Sequence, residues 1–370
     1  MMDVLVTGFP RLIARRVAAR VLSQHPDARV CLLVRQKFLS EASAFVSTLS
    51  EANRVRILEG DVACIDMGLS GLEWRTLAES VTHIQHHAFL SYEGASSKDI
   101  RALNVDGTRE VLELARHATQ LRRLVHHSTA MVSGDRTGTV YEDELEMRQR
   151  FRSKIEESRF VAERLVRREM DKLPVTVLRP GLVVGDSVTG EIDRFDGPYL
   201  FVLLILTAPA ELSLPLPARG DAPLNLVPMD YVVNAACALM DDPAALGRVV
   251  HLVDHAPLHA RKVYELVAAT AGRKIPRGFI PANVTRAVLR APGLERLLRS
   301  PRAFFEQLAT NVTYDSRTAR DLLASHNLHC PPFEQYIDPL VQFVRDRLAE
   351  RRTRTEDELA HDDLIEDPLA

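Results

Sequence analysis

The chain has 370 residues, of which 46% are hydrophobic and 26% charged, with a formal net charge of −3 at pH 7. That is enough apolar material for one large domain with a smaller lobe, and the weakly acidic balance excludes nucleic acid as the main partner. The four cysteines, Cys31, Cys64, Cys237 and Cys330, show no CxxC spacing, which excludes a disulfide framework or zinc ribbon and fits reduced thiols in the cytoplasm.

The first element is a strand over 4–6, followed by a turn at Thr7 and Gly8 and a helix over 12–22. Strand–turn–helix is where a dinucleotide-binding fold carries its glycine-rich phosphate loop. Of the three loop glycines only the first is present, as Gly8; Arg11 holds the second position and Ala14 the third. Further strands are predicted over 30–34, 55–58, 83–88, 124–128 and 175–178, and helices over 39–49, 98–118 and 156–170. Strands alternating with helices mean an α/β fold, a doubly wound parallel sheet with helices on both faces. In the last helix Phe160, Val161, Leu165 and Val166 recur at helical spacing and lay one face on the sheet.

After Pro180 the pattern loosens, and 186–222 reads as Gly-, Pro- and Asp-rich loop around one apolar run, 199–210. That run contains Pro209 and is far shorter than the ~20 residues a membrane span needs, so it is expected as a buried helix or pocket wall, with an acyl-chain contact or a membrane-surface patch as the alternative. No basic stretch followed by an apolar segment opens the chain, so no signal peptide is expected. A strand ending near Val227 leads into a helix from about Asp230, placed to cap it, and 248–254 gives another strand. From 258 onward the chain reads as mainly helical, with breaks at 272–276, Pro292 and 331–332, and a charged, flexible tail from Arg351. The expected division is a dinucleotide-binding domain of 1–185 with 223–255, a smaller helical substrate lobe of 186–222 with 256–350, and the tail 351–370.

A series of motifs in order gives the chain its likeness: "TGFPRLIA" at the phosphate loop, "LLVR" ending the second strand, "GDV" after the third and "HHA" after the fourth. Then come "NVDGT" in a helix, "HSTAMVSG" after the fifth strand, "SRFVAE", "LRPGLVVGDSVTGEIDRFDGPY" and "VPMDYVVNAA". With these the chain resembles the extended short-chain dehydrogenase/reductases, and within them the fatty acyl-CoA reductases and thioester reductase domains. The resemblance implies a Rossmann-type fold and acyl thioesters or similar carbonyl compounds as ligands. It also implies NADP(H) as cofactor, because Arg35 stands where NAD-preferring folds place an acid for the ribose hydroxyl. It puts Thr7, Gly8, Arg11, Leu12 and Ile13 at the cofactor's diphosphate, Asp61 and Val62 at the adenine edge, and His87 and Ala88 along its middle. Asn104, Pro180 and Gly181 complete the implied cofactor set.

The family's chemistry uses a Ser or Thr hydroxyl, a proton-donating Tyr and a Lys four residues later, one helical turn apart. Thr129 supplies the hydroxyl. In "IEESRFVAE", Ser158, Ala162 and Glu163 fix the register, so the Tyr position holds Ile155 and the Lys position Arg159. Isoleucine has no proton to give, and an arginine, with a pKa above ~12, can bind a ribose but cannot relay a proton at neutral pH. Lys154 lies about 100° away around the helix. Tyr92, and less directly Tyr141 and Tyr199, are candidate substitute donors. His83, His86, His87, His126 and His127 gather at two strand ends without a carboxylate or cysteine at ligand spacing, so they are expected to line the cofactor site and no metal is expected. No G-x-S-x-G occurs, which removes a serine hydrolase.

Donor, relay lysine and loop glycine are altered together. The reading is a pseudoenzyme that binds a small hydrophobic or acyl-type ligand, or a partner protein or second copy, with NADP(H) binding weak or absent. The alternative is an active NAD(P)H-dependent oxidoreductase that uses Thr129 with a rearranged donor.

Overall fold

The computed structural model describes residues 2–92, 94–207, 220–275, 304, 307–308 and 310–353. Its strands are β1 Met2–Thr7, β2 Ala28–Val34, β3 Val55–Glu59, β4 His83–His86, β5 Arg123–His127, β6 Gly138–Val140, β7 Val175–Pro180, β8 Leu182–Val184, β9 Leu226–Pro228, β10 Val249–Leu252 and β11 Val312–Tyr314. Seven of them form one parallel sheet in the order β10-β7-β5-β4-β1-β2-β3, the doubly wound arrangement.

A sheet covered on both sides needs apolar residues at successive positions, and β1 supplies them. Val4 and Val6 point to one face, where they pack with the helices Leu12–Gln24 and Met229–Asp241. Leu5 points to the other, with Leu33, Leu58, Ile84 and Leu124 and the helices Gly71–Ser80 and Gly107–His117. A third apolar cluster lies apart from the sheet. It joins the apolar helix Tyr199–Thr207 to Ala260–Thr270 and Ile337–Thr353 through Phe201, Tyr264, Tyr336 and Leu340.

Several expectations are corrected. The predicted helix 98–118 is interrupted: Ser97–Arg101 passes through a π-helical turn, Ala102–Asp106, before Gly107–His117. β4 ends at His86 and β5 at His127, short of 88 and 128, because their chains turn away toward a cavity. Asp230 is not a cap. The helix starts at Met229 after Pro228, and Asp230 instead accepts from the Ser187 amide (2.8 Å) and hydroxyl (2.7 Å). Two short parallel pairs, β6 with β11 and β8 with β9, were not foreseen. The break at Pro292, the end of the apolar run at 208–210 and the tail beyond 353 lie outside the described residues.

Candidate functional site

The site begins where β1 turns into its helix. Gly8 sits at φ +98°, and a Cβ there would lie 2.6 Å from the carbonyl carbon and oxygen of His87, so only glycine fits. Thr7 is fully buried: its hydroxyl accepts from the amides of His87 (3.2 Å) and Ala88 (3.3 Å) and donates to His86 Nδ1 (2.9 Å). Thr7 thus ties β1 to the end of β4.

Arg11 is the residue before the helix, and its Nη1 donates to the Phe89 carbonyl at 2.6 Å. The next amide, that of Leu12, donates to both carboxylate oxygens of Asp193, at 2.7 and 3.0 Å. Arg15 Nη2 stands 3.5 Å from the same carboxylate, and Glu191 pairs with Arg16. A helix N-terminus presents partial positive charge and unsatisfied amides, which favour an anion. Here the anion is a side chain of the chain itself. A diphosphate does not fit this terminus as built without displacing Asp193, which sequence reasoning missed.

A cavity of about 350 Å³ opens beside this turn. Of the residues singled out from sequence, it is lined by Arg11, Ile13, Tyr92, His87, Thr129, Ile155, Arg159, Pro180 and Gly181. Its apolar wall includes Phe89, Met131, Leu182, Met229 and Phe304. Thr7, Gly8, Leu12, Ala88 and Asn104 lie behind this lining, and Arg35, Asp61 and Val62 are outside it. Arg35 lies over the Phe38 ring, and Asp61 accepts from the Ala63 amide at 2.9 Å. Tyr141 is exposed and Tyr199 is buried with its hydroxyl on the Gly185 amide, so of the three candidate tyrosines only Tyr92 reaches the cavity.

The helix Lys154–Arg167 presents Ile155 and Arg159 to this space. The Arg159 guanidinium lies 3.5 Å from the Phe89 ring centroid and donates to the His127 carbonyl at 2.6 Å. Lys154 points outward and pairs with Glu157. Thr129 accepts from the Met131 amide at 3.2 Å.

Behind the cavity the helix is held by buried polar bonds. Asn104 grips Leu90 by both main-chain groups, at 2.7 and 3.0 Å, and donates to Ser158 Oγ at 2.8 Å. Asn104 lies in the π-helical turn and is buried. Glu163, fully buried, accepts from Arg179, Arg167 and the Ser128 hydroxyl. Burial works to raise its carboxyl, but the Arg179 and Arg167 charges and the Ser128 hydroxyl outweigh it and hold it below the ordinary value.

The strand-end histidines are neutral. Burial first, and then nearby positive charge from Arg159 among others, lowers His86 to about 3 and takes His87, His126 and His127 well below the ordinary value. The His87 and His127 rings lie against each other, tilted by 37° with centroids 3.5 Å apart, and neither His87 ring nitrogen has a hydrogen-bond partner. Among the described residues, no group of three or more His, Cys, Asp and Glu is placed to hold a metal ion.

Residues 6–236 match the family profile described as male sterility protein, an NAD-binding family. The chain belongs to that family. Within the extended short-chain dehydrogenase/reductases, it falls in the fatty acyl-CoA reductase-like branch. It is 26% identical over 277 residues to fatty acyl-CoA reductase wat of Drosophila melanogaster, covering 64% of this chain and 53% of that protein. It is 25% identical over 276 residues to L-2-aminoadipate reductase of Schizosaccharomyces pombe, covering 68% of this chain and 19% of that protein. The chain therefore spans about half or less of the curated relatives it matches. Among solved structures, the terminal R domain of the myxalamid PKS-NRPS biosynthetic pathway is similar at TM-score 0.78 and 27% identity, covering 96% of this chain and 92% of that one. UDP-glucuronic acid 4-epimerase from Bacillus cereus, in complex with NAD, shares the fold at TM-score 0.67 and 15% identity. No described helix of this family member is long and apolar enough to cross a membrane.

Proposed function

We propose that the chain is a ligand-binding pseudoenzyme of the acyl thioester reductase type, which keeps the fold and substrate cavity and has given up the usual reductase chemistry. The observation that carries this reading is the pair Ile155 and Arg159 in the cavity wall: one has no proton, and the other donates to the His127 carbonyl and lies on Phe89. At the turn where a dinucleotide's diphosphate would sit, the Leu12 amide is engaged by Asp193 and Arg11 lines the cavity.

The residues that remain bind and position. Met131, Met229, Phe304 and Leu182 offer an apolar wall to an acyl chain, while Thr129 and Arg159 offer polar hydrogens at one end. A cavity of this size suits an acyl group of moderate length. Calorimetry of the full chain with a medium-chain acyl-CoA and the matching fatty acid, without dinucleotide, tests the reading. Binding at micromolar concentration is expected, and it weakens at least tenfold when Met229→Glu places a charge in the wall. Absence of binding by every acyl ligand overturns the acyl part of the proposal.

A second reading rests on Tyr92 and Thr129 sharing the cavity. In it the chain is an active NADPH-dependent reductase in which Tyr92, or a water held by Thr129, gives the proton. NADPH is preferred in that case because Arg35 offers its guanidinium to a 2′-phosphate.

A further inference from the structure

The segment after Gly185 crosses from the third apolar cluster to the phosphate turn. Its root is firmly built. Asp186 accepts from the amides of Val188 and Thr189 (2.9 Å each), and its own amide donates to the Glu191 carbonyl (3.0 Å). Ser187 is bound to Asp230 at the start of the Met229–Asp241 helix. Gly190 has φ +73°, and a Cβ there would meet the Pro339 carbonyl oxygen at 2.2 Å, so the final helix of the described chain packs directly on the turn.

From that root three polar anchors reach the nucleotide-binding side. Glu191 pairs with Arg16 of the first helix, Asp193 takes the Leu12 amide, and Arg194 donates to the carbonyl and hydroxyl of Ser91 at 3.2 Å each. Asp193 is the central one, and its side chain is 16% exposed. A carboxylate withdrawn from water needs compensating partners, and here they include the Leu12 amide, the helix dipole and Arg15. These are the kinds of group that would otherwise bind a phosphate.

We propose that Asp193 is a built-in substitute for a ligand phosphate: the strap 191–194 masks a latent diphosphate site at the start of the first helix, and removing its charge opens that site to a dinucleotide. An arriving diphosphate must displace a carboxylate from its amide and then remain beside it, so both lost contacts and like charge oppose binding. The inference rests on the reading that the wild-type chain binds NADPH weakly or not at all. It assigns the cause to Asp193, with Arg11 secondary.

The test is titration calorimetry of NADPH into the full-length wild type, Asp193→Ala and Asp193→Asn. Asp193→Ala is expected to bind at least about tenfold more tightly than wild type, with Asp193→Asn between, since asparagine keeps an acceptor and loses the charge. Thermal melting gives a second readout that does not need a dinucleotide. Without ligand, Asp193→Ala melts below wild type because the amide loses its partner, and inorganic pyrophosphate raises its melting point but not that of wild type. If both variants bind NADPH no better than wild type and pyrophosphate raises neither melting point, the strap is not the barrier; the proposal is overturned while the pseudoenzyme reading stands. NADPH oxidation by wild type with an acyl-CoA would instead overturn the pseudoenzyme reading. Should Asp193→Ala fail to fold, the isosteric Asp193→Asn decides alone, and no gain in it counts against the proposal.

Discussion

The helix Lys154–Arg167 has two faces held in different ways. Toward the sheet stand the residues that carry the family resemblance: Ser158 receives Asn104, Ala162 is fully buried, and Glu163 anchors Arg179, Arg167 and Ser128. Toward the cavity, one turn apart, stand Ile155 and Arg159, where the family resemblance expects a proton donor and its lysine. On the proposed pseudoenzyme reading, the frame of a reductase and its chemistry are separable, because the two depend on different bonds. Buried polar groups are expensive to disturb, since each lost partner leaves an orphan in low dielectric. Cavity-facing groups carry no such penalty.

The broadest way to break the frame is acid. The buried histidines stay neutral in the fold: His86 and His251 are lowered to about 3 and His83 to about 4, first by burial. In the unfolded chain they take up protons near pH 6.5. Their depressed pKa values therefore leave stability intact above about pH 6.5 and erode it as pH falls toward the folded values. Each contributes a loss of about 1.4 kcal/mol per pH unit in that window. Glu163, also held low, has the same sign. Urea unfolding between pH 7 and 5 should show a steep decline; a flat profile would show that these rings are not buried neutral.

A single side chain tests the sheet-facing side more sharply. Glu163→Ala leaves Arg179, 1% exposed, without its carboxylate and should cost about 3–5 kcal/mol, enough to prevent folding or lower the melting point severely. The cavity side should tolerate change. Ile155→Tyr with Arg159→Lys, which restores the family residues, is expected to shift stability by no more than about 1 kcal/mol in urea unfolding. A loss as large as that of Glu163→Ala would erase the distinction between the faces.

Much of the sheet was legible because β1 and β2 are largely apolar runs bounded by turns, and with β3 they fall where that pattern puts them. Ile155 and Arg159 were legible because Ser158, Ala162 and Glu163 fix the register of one regular helix, and both residues do line the cavity. Asp193 was not legible. It meets Leu12 across 181 positions, from a loop with no periodicity, and nothing in "EIDRFD" signals a cap for a distant helix. The orientation of Asn104 was hidden for a different reason: a π turn adds a residue locally without disturbing the apolar pattern on either side. The partners of the Thr7 hydroxyl, His86 and the amides that follow β4, lie about 80 positions away and have no local signal either.

The central claim is that this frame no longer performs the family's reduction. It is tested most directly by following NADPH absorbance with purified full-length protein and a panel of acyl-CoAs of different chain length. The account predicts no protein-dependent oxidation of NADPH with any of them. Turnover that disappears in Thr129→Ala, with the variant still folded, would contradict it and place the chain among active reductases with a rearranged donor.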